Sequence, residues 1–239
     1  MKAVMNWSGG KDSSLALHRM LQKEQAEIAC LLTTVNETYK RVSMHGVRVE
    51  LLEKQAENIG ITLKKVWLSE TVSMQTYSET MQQTLESLRK ENITQSVFGD
   101  IFLEDLKIYR ETQLAKAGFT GVFPLWKEKS ENLMDEFIDL GFKAVIVCVN
   151  EKYLDHSFVG RSIDKDFVKD LPAGVDVCGE NGEYHSFVFD GPIFRQPIAF
   201  EKGEVVYRNY KPVSENNEDN CYQSTSQNWD TGFYYQDLL

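Results

Sequence analysis

The chain has 239 residues, 42% hydrophobic and 26% charged, enough for one large or two modest domains with sizeable cores. Its net charge of −10 gives it no electrostatic reason to track nucleic acid or an anionic membrane. No run of about 18 apolar residues occurs, and the first eight residues lack a signal-peptide apolar core, so a cytoplasmic protein without a membrane span is expected. Residues 2–7 read as a strand and 12–25 as a helix. Between them stands Ser8-Gly9-Gly10-Lys11-Asp12-Ser13. Residues 27–34 form a buried strand. Residues 47–59 form a helix with Val49, Leu51, Leu52, Ala56 and Ile59 on one face, closed by Gly60. Then follow a strand over 62–68, a helix over 74–91, a short strand over 96–99, a helix over 103–117 ended by Gly118, and a short strand over 120–124. Five strands separated by helices imply an α/β fold, a parallel sheet with helices on both faces. Ligands in such sheets bind beyond the carboxyl ends of the strands.

The segment 8–13 sits at such an end. Two glycines let backbone N–H groups turn inward, and the following helix start adds unpaired donors and a positive dipole end. Ser8 and Ser13 add hydroxyls and Lys11 a positive charge, so phosphate is the natural occupant. A Walker A loop is excluded: its first glycine position holds Met5, and the residue after Lys11 is Asp12 rather than Ser or Thr. A G-x-G-x-x-G fingerprint is also absent here.

Other segments should reach the same rim. The second strand ends near Thr33-Thr34, whose backbone could read a nucleotide base. His45 and Arg48, on the loop entering the next helix, could touch ligand or serve as cap and surface residues. Gly99-Asp100 ends the fourth strand, where a carboxylate could hold Mg²⁺ jointly with phosphate or simply cap a helix. Asp12 is ambiguous in the same way, since acids are favoured in a first helical turn.

The pattern changes near Pro124-Leu125-Trp126. A helix over 131–140 and an apolar strand over 143–149 follow. The segment 178–190, Cys-Gly-Glu-Asn-Gly-Glu-Tyr-His-Ser-Phe-Val-Phe-Asp, can present Glu180, Glu183 and His185 together, although a solvated hairpin tip would look similar. Residues 205–210 read as a closing strand, and the polar, acidic stretch from 214 as a mobile tail. Cys30, Cys148, Cys178 and Cys221 form no C-x-x-C pair and are expected as reduced thiols, the first two in the core.

Four stretches carry a family resemblance: residues 8–13; Gly99-Asp100 with Tyr109-Arg110-Glu111; Pro124-Leu125-Trp126; and residues 178–188. The segment 8–13 looks like the PP-loop of ATP pyrophosphatases, which split ATP between its α- and β-phosphates. With the others it resembles the diphthine–ammonia ligase family of N-type ATP pyrophosphatases, over about residues 1–200. The resemblance implies a HUP-like five-stranded parallel sheet flanked by helices over 1–127. It further implies a smaller C-terminal α/β domain over 128–213 that holds the acceptor, followed by the tail over 214–239. It implies ATP with Mg²⁺, adenylation of a carboxylate, and attack by ammonia or another amine. Ser8, Gly9, Gly10, Lys11, Asp12, Ser13, Thr33, His45, Arg48 and Gly99 would bind the nucleotide, and Asp12 and Asp100 the metal. Lys11, Asp12, Asp100, Glu180, Glu183 and His185 would serve the chemistry, with Glu183 or His185 taking a proton from the attacking ammonium. The segment 42–48 looks like a bacterial-type branch, so the acceptor is an unidentified carboxylate, small molecule or protein. Diphthine is implied only where the source organism makes diphthamide. A non-catalytic ATP or AMP sensor and a PP-loop tRNA-modifying enzyme are the alternatives; a homodimer is an admissible assembly.

Overall fold

The computed structural model describes residues 1–23, 26–43, 45–69, 72–210 and 231–239. β1 (Lys2–Asn6) lies at the centre of a parallel sheet because Ala3, Val4 and Met5 are apolar in sequence and buried on both faces. It pairs with β2 (Glu27–Asn36) on one side and β5 (Ile93–Val97) on the other. β4 (Leu63–Leu68) lies outside β2, and β6 (Thr120–Val122) outside β5. The chain therefore winds outward from β1 to β2 and β4, then returns to β5 beside β1. The crevice between the ends of β1 and β5 is the switch point.

Alternation along the strands sorts the helices. Ala3, Met5 and Trp7 share a core with Leu15 and Leu17 of α1 (Lys11–Lys23) and Leu51 and Leu52 of α2 (Val49–Ile59). Val4, Cys30 and Leu32 share the opposite core with Leu85 and Leu88 of α3 (Met74–Lys90) and Leu114 of α4 (Glu104–Lys116). Gly60 closes α2 as expected: at φ +83° its N–H reaches the carbonyls of Ala56 and Glu57. One strand is displaced. The segment expected over 96–99 begins at Ile93 and ends at Val97, because Gly99 and Asp100 leave the sheet and pack over the first turn of α1.

A second, antiparallel sheet has the order β8-β7-β10-β9. It is built from β7 (Lys143–Asn150), β8 (Tyr184–Asp190), β9 (Lys202–Tyr210) and β10 (Thr231–Leu238), with helices α5 (Ser130–Asp139) and α6 (Lys165–Asp170). β10 corrects the expected tail over 214–239. Residues 214–230 and Cys221 lie outside the described residues, but 231–238 form an inner strand, with Phe233, Gln236 and Leu238 buried. Its partner β7 is distant in sequence, and a long polar stretch separates it from β9, so local pattern gave it no support. A two-residue β3 (Arg41–Val42) and α6 were likewise unanticipated.

The two sheets are not separate bodies. The core on the α1 and α2 face continues into Phe137, Phe142, Phe187 and Val188. At its rim, Arg19 of α1 pairs with Glu128 and Glu136 and donates to the Pro124 carbonyl. Among the described residues no helix is long and apolar enough to cross a membrane.

Candidate nucleotide site

The loop after β1 is a tight Gly-Gly turn that runs directly into a helix start. Gly9 adopts φ +75°, which L side chains rarely take, and α1 begins at Lys11. The Gly10 N–H donates to Ser8 Oγ at 3.3 Å, Ser13 Oγ donates to the Gly10 carbonyl at 2.9 Å, and the two hydroxyls stand 3.2 Å apart. Gly10 has no room for a side chain: a Cβ would lie 3.0 Å from the Ser186 carbonyl and 3.2 Å from His45 Cε1. The second sheet thus forms one wall of the loop. The Val188 N–H donates to the Gly9 carbonyl at 2.9 Å, and the Lys11 N–H donates to Ser186 Oγ at 3.2 Å.

Lys11 is held in place rather than free. Its side chain is 4% exposed, its Nζ lies 2.8 and 2.9 Å from the two Asp12 oxygens, and the Tyr184 ring lies beneath it at 5.2 Å. Burial opposes its charge, but the adjacent Asp12 carboxylate overrides this and holds the lysine well above its ordinary range. Lys11 stays an ammonium.

Across the crevice, Gly99 is required by contact. A Cβ there would lie 2.8 Å from the Asp12 carbonyl carbon. Asp100 is not a helix cap; Leu103 holds that position in α4. Asp100 instead pairs with Arg110 at 2.7 and 3.3 Å, and the guanidinium lies over the Phe98 ring at 4.4 Å. Two sequence stretches nine or more residues apart thereby form one unit.

The loop over 176–186 comes from the second sheet. Glu180 Oε1 accepts the Ile101 N–H at 2.8 Å, tying this loop to the β5–α4 turn. Its Oε2 makes no hydrogen bond among the described residues. Burial, then the nearby Asp12 charge, push its pKa up to about 7. Glu183 differs. It is 1% exposed, and its oxygens accept the Asp176 N–H, the Asn181 N–H and Asn181 Nδ2 within 3.1 Å. That corrects its expected part in proton transfer: its lone pairs hold its own loop together. Cys178 is a packed residue, its thiol donating to the Ser130 carbonyl at 3.3 Å and pushed up to about 12 by burial.

His185 stacks on His45 with ring centroids 4.4 Å apart. Burial pushes His45 down to about 4 and His185 well below the ordinary histidine value. Both rings are neutral at pH 7, and His45 does reach the loop at Gly10. Rings whose pKa lies this far below the ordinary value are too weakly basic to draw a proton from ammonium, although they can wall the cradle.

Two expected contacts lie elsewhere. Arg48 turns to Asp237 of β10 at 2.7 Å, and Arg41 takes the same carboxylate at 2.8 Å, so this group fastens the two sheets together. Thr33 is buried, with Oγ1 lacking a hydrogen-bond partner among the described residues. Its strand register also turns its backbone away from the loop. Leu31 N–H and Glu37 N–H both donate to β4-side carbonyls, so Thr33 shares that edge, while Thr34 accepts from Ser43 on the loop side.

Gln55 belongs to the site although no sequence motif marks it. It interrupts the apolar face of α2, fully buried, where the sequence pattern leaves a polar residue among Leu51, Leu52 and Ala56. A buried amide in an apolar stripe is itself a signal, because it must find partners.

The diphthamide synthase N-terminal domain model matches residues 1–119, and the C-terminal domain model matches residues 129–216. The chain belongs to the diphthamide synthase family. This family member is 30% identical over 122 residues to the diphthine–ammonia ligases of Bos taurus and Homo sapiens, covering 49% of this chain and 46% of each relative. It thus spans about half the length of these curated relatives. The Schizosaccharomyces pombe diphthine–ammonia ligase is 28% identical over 109 residues, 42% of this chain and 18% of that protein. Among solved structures, a predicted subunit of tRNA methyltransferase from Methanocaldococcus jannaschii is 18% identical, with a TM-score of 0.44 over 83% of this chain and 100% of its own. The U34-tRNA thiolase NcsA from Methanococcus maripaludis is 21% identical, with a TM-score of 0.36 over 59% of this chain and 57% of its own.

Proposed function

We propose that this diphthamide synthase family member is an ATP-dependent amide ligase of the diphthine–ammonia ligase type. The observation that carries the proposal is the meeting of a phosphate cradle at residues 8–13 with Asp12, Asp100 and Glu180, gathered from both sheets. In the proposed reaction an acceptor carboxylate oxygen attacks the α-phosphorus of ATP. The bond to the α,β-bridging oxygen breaks and pyrophosphate leaves. Ammonia then attacks the acyl carbon, AMP departs, and the amide nitrogen loses its extra proton.

Each step asks for charge stabilisation and alignment more than covalent help. In this reading the Gly10 N–H, the Ser8 and Ser13 hydroxyls and the start of α1 would face the β- and γ-phosphates, and Lys11 would offset charge developing on pyrophosphate. Thr34, rather than Thr33, is the strand-end backbone on the loop side. His45 walls the cradle. Glu180 is the proton acceptor: a pKa of about 7 suits a base at neutral pH, and it keeps one oxygen free of hydrogen bonds. Asp12 and Asp100 are hard carboxylate donors beside the cradle, each ion-paired here, with Lys11 and Arg110, and each would have to give up an oxygen from that pair to hold Mg²⁺. Mg²⁺ commonly takes one or two carboxylates and completes its shell with phosphate oxygens and water. Bound there, Mg²⁺ would neutralise phosphate charge. The first domain, 1–127, supplies the nucleotide side, and 128–213 the acceptor side.

The test is phosphorus NMR of the protein with ATP, Mg²⁺, ammonium and a metabolite or protein extract. AMP and pyrophosphate appearing in step with acceptor consumption supports the ligase. ATP binding without product from any extract favours a nucleotide sensor. Tight, salt-sensitive tRNA binding favours a tRNA-modifying enzyme.

A further inference from the structure

Gln55 sits where three elements of the molecule converge on the phosphate loop. Its Oε1 accepts from Trp7 Nε1 at 2.9 Å. Its Nε2 donates to the Gly9 carbonyl at 3.1 Å and to the Val188 carbonyl of β8 at 2.6 Å. The orientation of the amide is forced. An indole nitrogen only donates and a carbonyl only accepts, so just one of the two amide orientations satisfies all three neighbours. The contact is close as well: a Cβ on Gly9 would lie 2.6 Å from Gln55 Oε1.

The consequence lies one atom further along the chain. The Gly9 carbonyl and the Gly10 N–H belong to the same planar trans peptide, so they point in opposite directions. Two donors, Gln55 Nε2 and the Val188 N–H, pull that carbonyl toward α2 and β8. The Gly10 N–H is thereby turned the other way, toward Ser8 Oγ. In an unstrapped Gly-Gly segment this peptide could rotate, because glycine places little steric limit on either side.

We propose that Gln55 is a positioning residue that locks the Gly9–Gly10 peptide with its N–H toward the phosphates of the bound nucleotide. It touches no nucleotide atom itself. The inference rests on the ATP-binding reading of the cradle and adds to it the device that preorganises it. Because Gln55 also reads Val188, docking of the second sheet and formation of the phosphate site are one event.

Calorimetric titration of the whole protein with ATP, inorganic pyrophosphate and adenosine provides the test, with thermal melting as a folding control. Gln55→Leu is expected to weaken ATP and pyrophosphate about tenfold, in line with loss of an aimed donor to a charged group, while adenosine affinity stays within about twofold. Trp7→Phe is the milder second variant. It removes the donor that fixes the amide, keeps the aromatic core, and should give the same phosphate-selective pattern at about threefold. A loss shared equally by adenosine and ATP, or no loss in a folded variant, overturns the proposal. A parent protein that binds neither ATP nor pyrophosphate overturns the ATP-binding reading itself, and the positioning role with it.

Discussion

The loop over 8–13 and the loop over 176–186 lie against each other, yet they manage charge differently. The first is a backbone device, made of inward N–H groups, two hydroxyls and one lysine neutralised by the next residue in the chain. The second is a carboxylate device in which most of the acid is spent internally. Asp176 accepts the N–H groups of Cys178 and Glu180, and Glu183 accepts three more donors. Only Glu180 reaches out, to Ile101 of the other domain. A carboxylate is available for chemistry when its own loop has not already claimed its lone pairs, so counting acids does not locate a base.

The largest effect expected is on the backbone device. Lys11→Ala should lower pyrophosphate release by about 10²-fold, by analogy with loss of one preorganised donor. Turnover at the parental level would remove Lys11 from the leaving-group side. Glu183→Ala should act on the other loop through stability, by about 2 kcal/mol and some 5 °C in Tm, because buried N–H groups lose their acceptor. An unchanged melting curve would contradict the structural role assigned to it.

Glu180 gives a sharper contrast, and its sign can be worked out. Its folded pKa of about 7 lies above the ordinary 4.5. The folded state therefore holds more protons between those values, and stability falls as pH rises through that window. Glu180→Gln keeps an acceptor for the Ile101 N–H and removes the buried charge. It should melt later than the parent at pH 8 by roughly 1–2 kcal/mol, and the two should converge near pH 4. In the ammonia step the same variant should lose any activity limb that rises near pH 7. A limb that survives would assign the base elsewhere.

The stacked histidines behave oppositely. Their folded pKa values lie below the ordinary 6.5, so the unfolded chain takes up protons first and stability is lost as pH falls from about 6.5 toward 4. His185→Asn should flatten that acid limb in a melting series from pH 7 to 4. The smallest expected change is in Arg48→Ala. With its guanidinium on Asp237, nucleotide affinity should stay within about twofold. A tenfold loss would mean that Arg48 leaves Asp237 for the ligand.

Much of this molecule was legible before its structure. Apart from the two-residue β3, the order of strands and helices through residue 124, the Gly60 cap and the Gly-Gly turn at 8–13 all depend on neighbours within a few residues, where glycine conformation and hydrophobic period act directly. The Asp100–Arg110 pair was present in sequence only as two unconnected stretches. The strand at 231–238 was missed because its partner β7 lies about 80 residues away. Gln55 was passed over as one polar residue on an apolar face, and Thr33 was named where Thr34 turns to the loop side, since a strand shifted by one residue exchanges its edges.

By itself, then, the sequence determined the strand, Gly-Gly turn and helix start at residues 2–13 and the doubly wound first sheet, because backbone conformation and periodic burial are local properties. Tertiary structure alone decided which carboxylate kept a free oxygen, which histidines became neutral, and which buried amide braced the loop. Those outcomes depend on desolvation and on hydrogen bonds between residues from both sheets, and neither exists until the two sheets share one core.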